Sequence, residues 1–66
     1  MNTREARLFI AEVRGKILSN QITKVEALYQ LQNIDMNTLE EYPGLPKESI
    51  TDGLNNTIAW LQTKTS

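Results

Sequence analysis

Aromatic and acidic side chains are the residues of this chain that are best suited to specific recognition. Trp60, Tyr42 and Tyr29 are of the types that anchor interfaces between proteins. Glu40 and Glu41 directly precede Tyr42 and would steer the association of a partner with a basic surface. We therefore predict these residues as partner-binding candidates. For Trp60 and Tyr29, completion of a small hydrophobic core is an alternative with at least as much support.

The chain lacks the residue types on which most catalytic sites depend. It contains no histidine and no cysteine, so the commonest general base and the Ser–His and Cys–His pairs are missing. Glu40 and Glu41 do not form a catalytic dyad, because adjacent side chains on a helix point about 100° apart. A zinc ion would also lack its usual ligands. We predict a non-enzymatic protein with no catalytic residue, cofactor or metal.

The length of 66 residues allows a single domain, 1–66. A core of this size supplies only about 3–5 kcal/mol, so small chains usually need disulfides, a metal or a partner subunit. Without cysteine, well-packed helices or self-association must supply the stability. The hydrophobic fraction of 39% indicates an ordered soluble domain. We predict a cytoplasmic location, because there is no targeting signal and absent cysteine fits a reducing compartment.

The net charge of −1 argues against nucleic acid or a membrane as the partner. Arg4, Arg7 and Arg14 nevertheless share one side of the first predicted helix. The segment 25–42 has the outline of a helix–turn–helix, but its second helix would be acidic and would repel phosphates. DNA binding is therefore a lesser alternative.

Apolar residues recur at helical spacing in three parts of the chain, which predicts three main helices. The first, near 3–19, has the stripe Ala6, Phe9, Ile10, Val13 and Ile17. The second, near 23–33, would face the first with Val25, Leu28, Leu31 and, as a further candidate, Tyr29. The third, near 49–63, has the stripe Ile50, Leu54, Ile58 and Leu61, with Trp60 at its edge.

Polar residues indicate where these helices begin and end. Thr23 and Glu26 have the spacing of a capping box. Asn20, in the turn before them, is the residue best able to adopt the left-handed conformation. The short turn predicts an antiparallel hairpin of the first two helices. The last helix can begin at Ser49, and a start at Pro46 is the alternative.

The segment between the second and third main helices is ambiguous. It can contain a short fourth helical turn near 37–42, and the prolines and glycine of 42–46 must interrupt any helix. Gly15 costs the first helix about 1 kcal/mol relative to alanine, so we expect close packing there. Gly53 and Thr57 would leave little side-chain volume at one edge of the last helix, so that another element can approach.

Two parts of the sequence resemble known families. The segment 46–60 resembles the C-terminal helix of extended short-chain dehydrogenase-type sugar-nucleotide epimerases and dehydratases. No activity follows, because the chain has no glycine-rich βα turn and is too short for a dinucleotide fold. The order of Tyr42, Pro43 and Trp60 is similar to that in the colicin-DNase immunity proteins, four-helix inhibitors whose short third helix ends in Tyr-Pro. This likeness implies an inhibitor. The chain is, however, shorter and less acidic than those proteins, and it has one tyrosine where their motif has two.

The predicted fold class is all-α: a small helical bundle made of the antiparallel hairpin and the C-terminal helix. The predicted function is that of a small soluble protein that binds another protein as an inhibitor, adaptor or regulator. The alternative from a different class is a self-assembling homo-oligomer.

Overall fold

Side-chain caps define the start of each helix in the computed structural model, which describes residues 1–63. The first helix, α1, is Thr3–Leu18, and Asn2 and Glu5 form a capping box at its start, with Glu5 N donating to Asn2 Oδ1 at 2.9 Å. The second, α2, is Lys24–Gln32, and Thr23 Oγ1 accepts from the Glu26 amide at 3.2 Å. The third, α3, is Lys47–Thr63.

The start of α3 differs from the preferred prediction. The helix begins at Lys47, directly after Pro46, and not at Ser49. The reason is a cap from outside the helix, because Glu41 Oε2 accepts from the Lys47 amide at 3.3 Å. The proline then stands at the helix entrance, where its missing N–H costs nothing.

Within the described residues, the three helices all contact one another and form a small all-α bundle, as predicted. Asn20 has φ 60° in the turn that joins α1 to α2, which confirms its predicted left-handed conformation. The core contains residues of every helix and one of the linker before α3: Ala6, Ile10, Val13, Ile17, Ala27, Leu31, Leu39, Ile50, Leu54 and Leu61.

The predicted inner face of α2 is wrong in part. Val25 and Tyr29 are 76% and 67% exposed, whereas Ala27 and Leu31 are buried and Leu28 packs at the edge of the core. Val25 and Tyr29 lie roughly 160° and 200° around the helix from Ala27, so burial of Ala27 turns them outward. They form an exposed apolar pair on α2.

The predicted fourth helical turn near 37–42 is not formed. Asp35 Oδ1 accepts from the Asn37 amide at 2.9 Å, and this closes a single turn. The chain then becomes extended, because Leu39 enters the core and Glu40 pairs with the segment before α1. Thr3 N donates to Glu40 O at 2.8 Å, and Glu40 N donates to Met1 O at 3.2 Å. The four-helix layout implied by the likeness to the immunity proteins is therefore absent from 1–63.

A tight turn connects this extended segment to α3. Leu45 N donates to Tyr42 O at 2.9 Å, with Pro43 and Gly44 between them and φ 83° at Gly44. Proline followed by a residue of positive φ is the pattern of a type II turn, and this φ favours glycine. The turn holds Tyr42 beside the start of α1.

Candidate functional site

An open groove runs between α1 and α3 on the outside of the bundle. Its walls are α1 from Arg7 to Leu18 and α3 from Ser49 to Thr57, and Leu45 of the linker also lines it. Its volume is about 780 Å³. Each helix buries only one stripe of its surface in the core. The surfaces of α1 and α3 beside those stripes therefore face solvent next to each other, and the groove lies between them. We call it the α1–α3 groove.

Two glycines lie in this groove, one on each wall. A Cβ atom added at Gly15 or at Gly53 would meet no atom within 4 Å. The expectation of close packing at Gly15 is therefore wrong, and the space over Gly53 is likewise empty. Neither glycine has a positive φ, so the backbone does not require glycine at either position. Each costs its helix about 1 kcal/mol relative to alanine.

Exposed leucines extend the apolar surface of α1. Leu18, in the α1–α3 groove, is 65% exposed, and Leu8 is 61% exposed. Leu8 lines a neighbouring depression of about 480 Å³ together with Arg4 and the turn at 42–45. Arg7 and Leu45 line both hollows. The groove and the depression are therefore parts of one continuous surface.

Arginines border this surface, and two of them lie over aromatic rings. The Arg14 guanidinium carbon is 5.2 Å from the centroid of the Trp60 ring, and that of Arg4 is 5.6 Å from the centroid of the Tyr42 ring. Such cation–π contacts hold a guanidinium in place while leaving its edge open to a further ligand. No Asp or Glu of the described chain lines the groove or the depression. The surface is therefore cationic as well as apolar.

The predicted site residues fall in different places. Tyr42 and Trp60 lie at the border of this surface, each under an arginine. Trp60 is half-buried and packs against the core, so it is both a core and a border residue. Glu40 and Glu41 are exposed on the linker, and Glu41 also caps α3. Tyr29 belongs to the exposed pair on α2, which does not line the groove.

Sequence reasoning did not identify the groove residues as a site, although part of the signal was present. Helical spacing places Arg4, Arg7 and Arg14 on one side of α1, and Leu8 and Leu18 stand off its buried stripe. The pairing of Gly15 with Gly53 depends on how α1 and α3 are placed side by side, which spacing along one helix does not reveal.

No helix in 1–63 is both long and apolar enough to cross a membrane. No group of three or more potential metal ligands occurs among the same residues. No protein-family model, curated protein or solved structure matches the chain. The small three-helix fold and its surface are therefore the basis for any functional argument.

Proposed function

We propose that this protein acts by binding another protein, as a non-enzymatic inhibitor, adaptor or regulator, and that the α1–α3 groove is the contact surface. The observation that supports this proposal is the exposure of Leu8 and Leu18 on a concave surface that Tyr42 lines and that Trp60 borders through its contact with Arg14. Continuous apolar surface with aromatic residues and arginine is characteristic of interfaces between proteins.

The aromatic and acidic candidates divide between two surfaces in this proposal. Tyr42 would contact the partner in the adjoining depression, and Trp60 would hold Arg14 at the border of the groove. Glu40 and Glu41, exposed on the linker beside Tyr42, would steer a partner whose surface is basic opposite that point. Tyr29 lies on α2 and would contact only a partner that extends to the outer side of that helix.

The test is a pull-down from native lysate, in which the wild type and two matched double variants serve as baits. The first, Leu8→Gln with Leu18→Gln, removes apolar surface from the groove and the adjoining depression, and we call it the groove variant. The second, Val25→Gln with Tyr29→Gln, removes comparably exposed apolar surface on α2. Because all four residues are exposed, both variants should fold, as circular dichroism would verify.

We expect quantitative mass spectrometry to find a protein that the wild type and the α2 variant retain and the groove variant loses. Calorimetry with that protein, once purified, should show that the groove variant binds at least about tenfold more weakly. Equal retention by the wild type and the groove variant would contradict the proposal. Loss with the α2 variant alone would place the contact at Val25 and Tyr29.

Self-assembly into a homo-oligomer is the second candidate. It is favoured by the presence of two exposed apolar surfaces, one at the groove and one on α2, on a chain with a small core. Sedimentation over a range of concentrations tests it. A mass that remains that of one 7.5 kDa chain, with unchanged stability, would exclude it.

A further inference from the structure

We propose that the α1–α3 groove binds an acidic amphipathic α-helix of a partner protein. This inference rests on the proposed function and specifies the kind of segment that is bound. It follows from three properties of the surface: its length, the empty space over its glycines and the sign of its charge.

The dimensions of the groove suit a helix of a few turns. Its lining on α1 extends from Arg7 to Leu18, roughly 16 Å along the helix axis, and on α3 from Ser49 to Thr57, roughly 12 Å. A third helix lying between these walls would complete the packing that α1 and α3 lack on this side. Apolar groups at i, i+3, i+4 and i+7 of that helix would contact Leu18 and the aliphatic floor.

The glycines allow such a helix to approach closely. Packed helices normally lie about 8–10 Å apart, with the distance set by the side chains at the contact. Gly15 and Gly53 present no side chain, and the space above both is open. The bundle therefore retains two residues that weaken its own helices and gains no intramolecular packing from them. Close contact with a bound backbone is the use that the geometry offers.

The charge of the groove selects an acidic binding segment within the partner. Arg7 and Arg14 line it, Arg4 lines the adjoining depression, and no Asp or Glu of 1–63 lines either hollow. The one ion pair of the described chain, Lys16 with Glu12 at 3.3 Å, does not involve these arginines. Arg7, which lines both hollows, is thus available to a carboxylate, and guanidinium binds carboxylates in a bidentate manner.

Other anionic or helical occupants fit these observations less well. Nucleic acid would use the arginines but would leave Leu8 and Leu18 exposed to phosphates and water. A second copy could insert α2, whose outer side is apolar, but α2 offers a single carboxylate, Glu26, to the arginines. A helix with several carboxylates flanking an apolar stripe matches both the apolar surface and the positive charge of the groove.

The experiment uses Trp60, the only tryptophan of the chain, as its fluorescent probe. The full-length protein is titrated with a designed helical peptide of about 14 residues, made of Leu, Ala and Glu in an amphipathic pattern and free of aromatic residues. A matched peptide has Lys at every Glu position. We expect saturable binding of the acidic peptide, at least about tenfold tighter than that of the basic one and weaker at high salt.

Two variants with matched controls locate the binding. Arg7→Glu should lower the affinity for the acidic peptide at least about tenfold, whereas Lys24→Glu on α2 should leave that affinity nearly unchanged. Gly53→Ala should raise the unfolding midpoint, because alanine favours the helix more than glycine does. It should nevertheless lower the affinity for the peptide, because the added methyl group enters the space that the peptide needs. Asn55→Ala, exposed and outside the lining of the groove, should also raise the midpoint without weakening the peptide.

Several results would overturn the inference. These are equal affinity for the two peptides, full affinity of the Arg7→Glu variant, and tighter binding to duplex DNA or to vesicles of anionic lipid than to the acidic peptide. Self-association that the groove double variant abolishes would assign the surface to a second copy. The acidic peptide could fail to bind while the groove double variant still no longer retains a protein that the wild type captures. In that case the proposed function stands, and only the proposal of an acidic helix as the ligand is wrong.

Discussion

The buried hydroxyl group of Thr3 provides a quantitative test of how this small bundle is held together. Thr3 is fully buried (0% exposed), and its Oγ1 atom accepts from the Tyr42 amide and donates to the Leu45 carbonyl, both at 2.8 Å. It thus fastens the turn at 42–45 to the start of α1. Valine has nearly the same shape, so Thr3→Val removes both hydrogen bonds and little else.

The expected loss of stability follows from the two backbone groups that remain. Leaving a buried donor or acceptor without its partner costs about 1–3 kcal/mol for each group. Tyr42 is exposed and Leu45 only partly buried, so water can reach their backbone groups, and we take a total near the lower end, about 2 kcal/mol. A loss of that size in a 66-residue domain lowers the midpoint of thermal unfolding by roughly 8–16 °C.

The assay is urea unfolding followed by Trp60 fluorescence, with two controls. Thr3→Ser keeps the hydroxyl and loses one buried methyl group, so it should cost only about 1 kcal/mol. Thr38→Val makes the same substitution at an exposed position, where the hydroxyl group donates to Asp35 O at 3.2 Å, and should change stability by less than about 0.5 kcal/mol. The Tyr42 amide should also exchange its hydrogen faster in Thr3→Val.

The reasoning is wrong if Thr3→Val is as stable as the wild type, or more stable than Thr3→Ser. The first result would mean that the hydroxyl group contributes no more than the methyl group that replaces it, and the second that losing the hydroxyl group matters less than losing the methyl group that serine lacks. Unchanged exchange at the Tyr42 amide would lead to the same conclusion by an independent measurement.

Three further predictions concern the glycines and the arginine–tryptophan pair. Gly15→Ala should stabilise the free protein by about 1 kcal/mol in urea unfolding, because the new methyl group meets no atom within 4 Å; destabilisation would show that the space is not open. Gly44→Ala should destabilise it by about 1–2 kcal/mol in the same assay, because alanine is strained at φ 83°; an unchanged midpoint would contradict that turn. Arg14→Gln should alter the Trp60 emission of the folded protein, and an identical spectrum would argue against the cation–π contact.

Local features of the structure were predictable, and features that join distant segments were not. Thr23 caps α2 and Asn20 adopts positive φ because both depend on neighbours within a few residues. The predicted inner face of α2 wrongly includes Val25 and Tyr29, because a nine-residue helix with apolar residues around most of its circumference has more than one possible inner face. Which one is buried depends on α1 and α3.

The candidate site divides in the same way. Tyr42 and Trp60 were selected by residue type, and Arg4, Arg7 and Arg14 by their shared side of one helix. Their proximity was not predictable, because the contact of Arg14 with Trp60 and that of Arg4 with Tyr42 each join segments far apart in the chain.

The sequence alone determined that this protein is helical, how many main helices it has in 1–63 and roughly where they begin, since apolar period and capping act over one or two turns. Tertiary structure alone decided that Leu39 enters the core, that Thr3 holds the turn at 42–45 and that Gly15 and Gly53 border one groove. Those outcomes depend on how the helices are placed against one another. That placement minimises exposed apolar surface and unpaired backbone groups over the whole chain, and no local pattern encodes it.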